Sequence, residues 1–279
     1  MRSDLAPKLL ALSWLLFPLA CSSAERCAEA IRSSPILQYS FSTGGAKYHF
    51  IGTVHIHTDR TDQVIASIVA ACTNNRFFFE HWGKPPISHR PGPRRWALGA
   101  PETNVRLQRL QAMLAETNLV IEIASKEPGS TIREGSIDAS LFDSLRKIEA
   151  EILAMEHQED LIERFLDVAT PTMEDKLQTL RERRQEEALR FNAVVNAWHL
   201  SEEATLKEDF LNQCKEDAYS KYFCESIVWE RNQVFAKSLC SDRAMDRTNV
   251  VIVGLAHLVG PRSVQAAVMD NCSTRAESE

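Results

Sequence analysis

Four short apolar runs constrain the fold most strongly, because none of them shows the polar alternation of a strand with one wet face. They cover residues 47–52, 76–80, 118–123 and 249–254. Runs of this length that are rich in β-branched and aromatic residues predict strands buried on both faces. Such strands need helices on both sides, so the sequence predicts an α/β fold with a mixed, largely parallel central sheet flanked by helices.

The chain between the first two runs has the period of a helix. Its apolar residues fall on one face, at Val64, Ile65, Ile68, Val69 and Cys72. Residues 47–80 therefore predict a strand, a helix and a second strand, joined by a right-handed crossover. Residues 103–117 predict another helix, which leads into the run at 118–123.

The middle of the chain has helical periodicity. Apolar residues recur at helical spacing, at Leu141, Leu145, Ile148, Ile152 and Met155. The mixed charges of residues 181–187 are typical of a solvated helix face. We therefore predict one domain over residues 25–279, in which a helical insertion at 131–224 caps the sheet. The insertion would separate an N-terminal half at 25–130 from a C-terminal half at 225–279.

The first 24 residues have the layout of an export signal. A short basic region precedes an apolar stretch of about a dozen residues, and small residues follow it. That stretch is shorter than the roughly 20 residues that span a bilayer. We expect cleavage after Ala24, secretion to an extracellular or periplasmic space, and no transmembrane segment in the mature chain. Lipidation at Cys21 is disfavoured, because Pro18 stands where a lipoprotein signal prefers an aliphatic residue.

The cysteine count agrees with export. Six cysteines remain after removal of the signal: Cys27, Cys72, Cys214, Cys224, Cys240 and Cys272. An even number predicts disulfides in an oxidising compartment, and the sequence leaves every pairing open. Cys214 and Cys224 are close neighbours, and Cys27 with Cys272 could join the two ends of the chain. Buried free thiols are the alternative.

The overall charge argues against one class of function. The chain has 32 Lys and Arg against 38 Asp and Glu, which gives a net charge of −6. A nucleic-acid-binding protein needs a basic face to replace phosphate counterions. We therefore expect no nucleic acid among its partners.

Polar residues follow three of the predicted strands. His55 follows the first in a Gly-x-x-His motif, Glu80 ends the second, and His257 follows the last in another Gly-x-x-His motif. Because the carboxyl ends of parallel strands meet at one edge of a sheet, we expect these side chains to lie close together. Two imidazoles and a carboxylate suit a divalent metal with an open coordination position.

Together these motifs resemble the TraB/GumN family of Gly-x-x-His proteins. The resemblance is carried by residues 50–55, 78–80, 229–232 and 253–260. Relatives in that family include the Tiki ectodomains, which are metalloproteases that cleave Wnt. The resemblance therefore implies a metalloprotease-like site in this chain.

The resemblance also implies a ligand set. His55 and His257 would be the metal ligands, and Glu80 would be a further ligand or the base that deprotonates a metal-bound water. The cofactor would be a divalent cation, with Mn, Co and Zn all compatible. His57, on the same strand face as His55, and Glu122, a competing acidic residue, are secondary candidates.

The Glu-Arg-Asn block adds three residues to the implied site. Arg231 would bind a carboxylate or stabilise an oxyanion through its planar guanidinium. Glu230 and Asn232 would orient Arg231.

The resemblance implies a secreted metal-dependent hydrolase of the peptidase type, with a peptide or protein substrate. The cation would lower the pKa of bound water towards about 7 and polarise the scissile carbonyl. Glu80 would accept the proton and return it to the leaving amine. Two alternatives stay open: a non-catalytic protein that binds haem or another ligand, and a metal-free esterase with His55 or His257 as base.

Overall fold

The computed structural model describes residues 23–32, 36–86, 92, 94–97 and 99–275. The predicted signal peptide therefore lies outside the described residues, apart from Ser23 and Ala24. Within the described chain, no helix has the length and apolar character needed to cross a bilayer.

The described chain contains seven strands. They are β1 (Gln38–Thr43), β2 (Ala46–Thr53), β3 (His57–Thr58), β4 (Arg76–Phe79), β5 (Ile132–Arg133), β6 (Glu151–Ala154) and β7 (Thr248–Gly254). It also contains eleven α-helices. They are α1 (Ser23–Arg32), α2 (Thr61–Ala71), α3 (Pro101–Lys126), α4 (Ile137–Lys147), α5 (Gln158–Val168), α6 (Thr172–Glu182), α7 (Arg184–His199), α8 (Glu203–Glu216), α9 (Ala218–Phe223), α10 (Glu230–Asp242) and α11 (Val264–Arg275). A π-helical turn, Cys224–Trp229, joins α9 to α10, and a 3₁₀ turn, Leu255–His257, follows β7.

The central sheet has five strands in the order β1-β2-β7-β4-β6. Strands β2, β7, β4 and β6 are parallel, and only β1 runs antiparallel, beside β2. The predicted strands at 47–52, 76–80 and 249–254 correspond to β2, β4 and β7. Every residue of β7 is buried, as expected for a central strand covered on both faces. The mixed, largely parallel α/β fold with a helical region in the middle of the chain is confirmed.

The predicted strand at 118–123 is wrong, because these residues lie within α3. No Gly or Pro interrupts the chain from Glu102 to Lys126, so the helix that begins at Pro101 continues through the apolar run. Within the run only Val120 is buried, and Ala124 one turn later shares its face. The run is therefore one stripe of a long helix.

Two strands of the central sheet, β1 and β6, were not predicted from the sequence, and neither were the short strands β3 and β5 of the two-stranded sheet. The helical spacing of Ile152 and Met155 predicts a helix there, but Ile152 lies in β6 at the edge of the sheet and Met155 follows it. Helix α4 ends before them, and Glu149 has a positive φ of 55°. Strand β1 forms a hairpin with β2 through Gly44 and Gly45, which have φ values of 53° and 75°. Two glycines with positive φ are typical of a tight hairpin turn.

The described residues form three disulfides, as the cysteine count predicts. They are Cys27–Cys72, Cys214–Cys224 and Cys240–Cys272, with Cα–Cα distances of 4.6, 5.7 and 5.3 Å. The suggested pairing of Cys27 with Cys272 is wrong, because α1 packs on α2 and α11 packs on α10. Three disulfides are typical of proteins in an oxidising compartment.

One hydrogen bond ties the helical middle of the chain to the sheet. The indole of Trp198, in α7, donates its N–H to the carbonyl of Gly52, in β2, at 2.7 Å. Both partners are buried, so this carbonyl has no access to water if the donor is lost. Gly52 belongs to the first Gly-x-x-His motif, so Trp198 supports the strand that leads to His55.

We predict that Trp198→Phe lowers the free energy of unfolding by about 1–3 kcal/mol, because it leaves the Gly52 carbonyl buried and unpaired. Trp229→Phe is the matched control, since the buried indole N–H of Trp229 has no hydrogen-bond partner. Trp229→Phe should lower the free energy of unfolding by less than Trp198→Phe does. Urea titration of both variants measures the difference, and equal losses would contradict this account.

Candidate functional site

The carboxyl ends of β2, β7 and β4 meet at one edge of the sheet. Thr53 pairs with Gly254 across β2 and β7, and Phe79 pairs with Ile252 across β4 and β7. The three side chains that follow these strands consequently lie together. His55 Nε2 is 3.9 Å from Glu80 Oε1, and His257 Nε2 is 3.7 Å from Glu80 Oε2.

His55 is held by a carboxylate from the middle of the chain. Its Nδ1 donates to Asp138 Oδ2 at 2.8 Å, and the hydroxyl of Thr53 donates to Asp138 Oδ1 at 2.8 Å. His55 has a φ of 56°, in the left-handed region that few non-glycine residues adopt. With Nδ1 occupied, Nε2 is the nitrogen that faces Glu80. The side chain remains 59% exposed, so a ligand can reach it.

The charges around His55 favour its protonated form. Partial removal from water lowers its pKa, but the hydrogen bond to Asp138 and the negative charges of Asp138 and Glu80 outweigh this effect. Together they raise the pKa of His55 to about 9. The position of its Nε2 is therefore one where positive charge is stabilised.

His257 is buried and held by an amide. It ends the 3₁₀ turn after β7, and its Nδ1 pairs with Asn232 Oδ1 at 2.6 Å. Because the amide oxygen only accepts, Nδ1 carries the proton and Nε2 keeps its lone pair. Burial lowers the pKa of His257 to about 3, and the nearby charge of Arg231 acts in the same direction. His257 is therefore a neutral imidazole whose lone pair faces Glu80.

Glu80 is buried and accepts a hydrogen bond on each oxygen. Oε1 accepts from the backbone N–H of Gly254 at 2.6 Å, and Oε2 accepts from Arg231 at 2.7 Å. Burial alone would raise the pKa of Glu80, but the positive charge around it and the Gly254 N–H lower the pKa well below its usual range. Glu80 is therefore a carboxylate at neutral pH.

Gly254 explains the glycine of the second Gly-x-x-His motif. A Cβ at this position would overlap the His55 ring and would lie 3.3 Å from Glu80 Oε1. The absence of a side chain lets His55 and the Gly254 N–H both approach the Glu80 carboxylate.

Arg231 uses all of its donors inside the protein. Its Nε donates to Glu156 at 2.9 Å, Nη1 to the carbonyl of Ile227 at 3.2 Å and more weakly to His257, and Nη2 to both Glu80 and Glu156. The guanidinium is buried against the ring of Phe235. With its five N–H groups committed, Arg231 positions Glu80 and His257.

The roles expected for the neighbours of Arg231 differ from those observed. Asn232 holds His257 and donates to the carbonyl of Arg262, so it does not orient Arg231. Glu230 pairs with Arg164 at 3.0 Å, and its side chain is 53% exposed. Glu156 is the carboxylate that orients Arg231.

The two secondary candidates lie outside this cluster. His57, in β3, pairs with Asp62 at 3.2 Å. Glu122 is on the exposed side of α3 and forms an ion pair with Lys126, at 2.5 Å. The structure therefore brings Glu80, and not Glu122, to the two motif histidines.

Sequence reasoning missed three residues of the cluster: Asp138, Glu156 and His81. Glu156 follows β6 and would have been found with that strand. His81 follows Glu80, and its buried Nδ1 has no hydrogen-bond partner. Glu80, His81 and Glu156 each offer a ligand atom within 4.8 Å of the others. Asp138 lies in the first turn of α4 and has no signal in the pattern of the sequence.

The cluster borders two cavities. The larger, of about 490 Å³, lies beneath the helices of the middle region and is lined mainly by apolar side chains. The smaller, of about 220 Å³, adjoins Trp82 and Asp138. His55, Glu80 and His81 line both cavities, so they are reachable from two sides.

The donor types of the cluster, imidazole and carboxylate, are those that bind divalent cations. The Nδ1 atoms of His55 and His257 are fixed by Asp138 and Asn232. Hydrogen bonds of this kind usually support metal-binding histidines. His55 Nε2 lies 3.9 Å from Glu80 Oε1 and His257 Nε2 lies 3.7 Å from Glu80 Oε2, so each imidazole is close to a different oxygen of the same carboxylate.

Among the described residues, the group whose ligand atoms all lie within 4.8 Å of one another is Glu80, His81 and Glu156, so a cation held by both motif histidines would draw their Nε2 atoms closer together. Glu80 and Glu156 share the one guanidinium of Arg231, so the two carboxylates together outnumber the positive charge that pairs with them.

We predict that Asp138→Asn moves the pKa of His55 from about 9 towards its ordinary value of about 6.5. The reason is the loss of the adjacent negative charge. NMR titration of the imidazole in chelator-treated protein measures the change. The pKa of His55 is higher in the folded than in the unfolded protein. The pairing of His55 with Asp138 therefore stabilises the fold below about pH 6.5, and this stabilisation is lost as the pH rises through about 9.

The matched control for this titration is Asp143→Asn, an exposed carboxylate on the same helix, α4. It should leave the His55 titration unchanged. An unaltered His55 pKa in Asp138→Asn would contradict the assigned hydrogen bond.

Comparison with known proteins gives one match. The model of the TraB/PrgY/gumN family matches residues 96–271, which is more than half of the chain. The matched segment includes Asp138, Arg231 and His257, whereas His55 and Glu80 precede it. No curated protein and no solved structure matches. On the family match, the chain belongs to the TraB/PrgY/gumN family.

Proposed function

We propose that this protein is a secreted metal-dependent hydrolase of the peptidase type, with its cation held by His55, His257 and Glu80. The observation that carries the proposal is the arrangement of the two imidazoles. Each has its Nδ1 fixed by a buried partner and its Nε2 directed at the same carboxylate, from 3.9 and 3.7 Å. Two histidines and one carboxylate with an open position suit Zn, and Mn or Co are compatible.

Within this proposal, each residue has a defined task. A divalent cation bound there would polarise a scissile carbonyl and make water a stronger nucleophile. His55 and His257 bind it through Nε2, and Glu80 supplies the balancing negative charge. Arg231 holds the Glu80 carboxylate in place, because its own donors are all engaged within the protein.

The proposal gives the proton-accepting role to His81. The low pKa of Glu80 makes its carboxylate a weak base, so it is better suited to binding a cation. Burial lowers the pKa of His81, which keeps its imidazole neutral, and its Nδ1 has no partner. His81 also borders both cavities, where a substrate would approach.

The disulfides support the proposed secretion of the protein. Three disulfides suit an exported protein, and the signal-like first 24 residues agree with export. A peptide or protein in the same compartment would be the substrate.

A metal-free hydrolase is the second candidate. The pair formed by His55 and Asp138 resembles the base and carboxylate of hydrolases that need no metal. However, the pKa of about 9 leaves His55 protonated at neutral pH when no cation is bound, and a protonated imidazole cannot act as a base. A cation at Nε2 would take the place of that proton. We therefore favour the metal-dependent reaction.

We predict that His55→Ala, His257→Ala and Glu80→Gln each lower metal affinity by more than about 100-fold, since even outer-shell changes cost 10–100-fold. Elemental analysis of refolded, tag-free protein measures binding, and hydrolysis of a peptide library measures activity. His57→Ala is the matched control and should behave as the parent does, because His57 pairs with Asp62 outside the cluster.

Treatment with a chelator distinguishes the metal-dependent from the metal-free hydrolase. A metal-dependent enzyme loses hydrolysis on chelation and regains it when the cation is restored. Hydrolysis that survives chelation but is lost in His55→Ala would favour the metal-free reaction. A parent protein with metal at background level would contradict the proposal.

A further inference from the structure

The larger cavity has an apolar wall that the proposed chemistry does not use. It occupies about 490 Å³ beside the site, within the 300–1,000 Å³ typical of small-molecule pockets. Helices α5, α7, α8 and α9 each contribute one phenylalanine to its lining. These are Phe165, Phe191, Phe210 and Phe223.

The polar groups of this cavity are concentrated at the site. Thr53, His55, Glu80, His81, Arg231 and His257 lie at the site itself or adjoin it. Of the helical wall, Asp209 and Gln213 are polar, and they are already paired. Gln213 donates to Asp209 at 2.6 Å, and Arg190 donates to Asp209 at 2.8 Å. The wall therefore offers apolar contact and few free hydrogen-bonding groups.

A second cavity shares part of the wall of the first. It occupies about 300 Å³ and shares five lining residues with the first. They are Phe210, Gln213, Phe223, Val228 and Ala256. Its own wall adds Met113, Tyr219 and Cys224 together with the polar Thr117, Lys176 and Ser220. The second cavity is therefore more polar than the helical wall of the first, and the apolar surface beside the site belongs to the first cavity.

We propose that the substrate carries an extended apolar group next to the bond that is cut, and that this group lies in the space between α7, α8 and α9. The inference rests on the proposed function and names the substrate class of the same site. An acyl chain and a run of apolar side chains share the required chemistry. Burial of each methylene group contributes about 0.8 kcal/mol, which corresponds to about a fourfold gain in affinity.

Binding to chelator-treated protein tests the inference without any turnover. The ligands are N-acylglycines from acetyl to dodecanoyl, together with N-acetyl dipeptides of Leu and Phe. Dissociation constants come from displacement of the fluorescent probe 1-anilinonaphthalene-8-sulfonate. We expect affinity to rise by about fourfold per methylene along the acyl series. Saturable binding of either class supports the inference, and the tighter class identifies the source of the apolar group.

Two cavity-filling variants locate the binding site. Val194→Trp places a large ring in the cavity and should weaken binding of the longest ligand by at least about tenfold, since it displaces two or more methylenes. Leu189→Trp is the matched control on the same helix, at a position 52% exposed, and should bind as the parent does. Phe165→Trp, from α5, replaces the first variant if that variant does not fold.

The inference would be overturned if affinity did not depend on acyl chain length and the apolar dipeptides did not bind saturably. Equal binding by the parent and both cavity-filling variants would also overturn it. Failure of the proposed function has a different signature. In that case the parent hydrolyses nothing and holds no metal, yet the apolar ligands still bind in the cavity.

Discussion

The buried Glu80 carboxylate is the group on which the arrangement of the site depends. Burying an unpaired carboxylate is costly, whereas hydrogen bonds and an opposite charge compensate it. Here the compensation comes from the N–H of Gly254, after β7, and from Arg231, in α10. One side chain thus requires β4, β7 and α10 to take fixed relative positions. The two motif histidines approach the same carboxylate from the turns that follow β2 and β7.

Each group around Glu80 is held in turn by a partner from another part of the chain. Asp138 fixes His55, Asn232 fixes His257, and Glu156 fixes Arg231. Two of these partners come from the middle of the chain. The same middle region supplies the apolar wall beside the site. The helical region therefore provides both the supports of the polar cluster and the surface that a substrate would contact.

The strands that carry the site could be predicted from sequence, whereas two of its three supports, Asp138 and Glu156, could not. Continuous apolar runs revealed β2, β4 and β7, and parallel topology brought His55, Glu80 and His257 to one edge. The apolar run at 118–123 could not be separated from a helix by its composition, because only the uninterrupted helix around it decides the outcome. Strand β6 is four residues long, and its Ile152 happens to continue the helical spacing of the residues before it. Neither the strand nor Glu156, which follows it, was therefore predicted.

Asp138 illustrates what a single sequence leaves out. An acidic residue in the first turn of a helix is common, because it favours the helix dipole, so nothing distinguished Asp138 from an ordinary capping position. The disulfide pairing could not be predicted from the sequence either, because it depends on which helices pack together. Both depend on contacts between residues far apart in the chain.

Anomalous diffraction from crystals soaked in Mn²⁺ or Zn²⁺ is the most direct test of cation binding by His55, Glu80 and His257. We expect one strong peak within about 2.0–2.3 Å of both Nε2 atoms and of a Glu80 oxygen. A peak bound by Glu80, His81 and Glu156 without the motif histidines would contradict it, and so would the absence of any peak at this edge of the sheet.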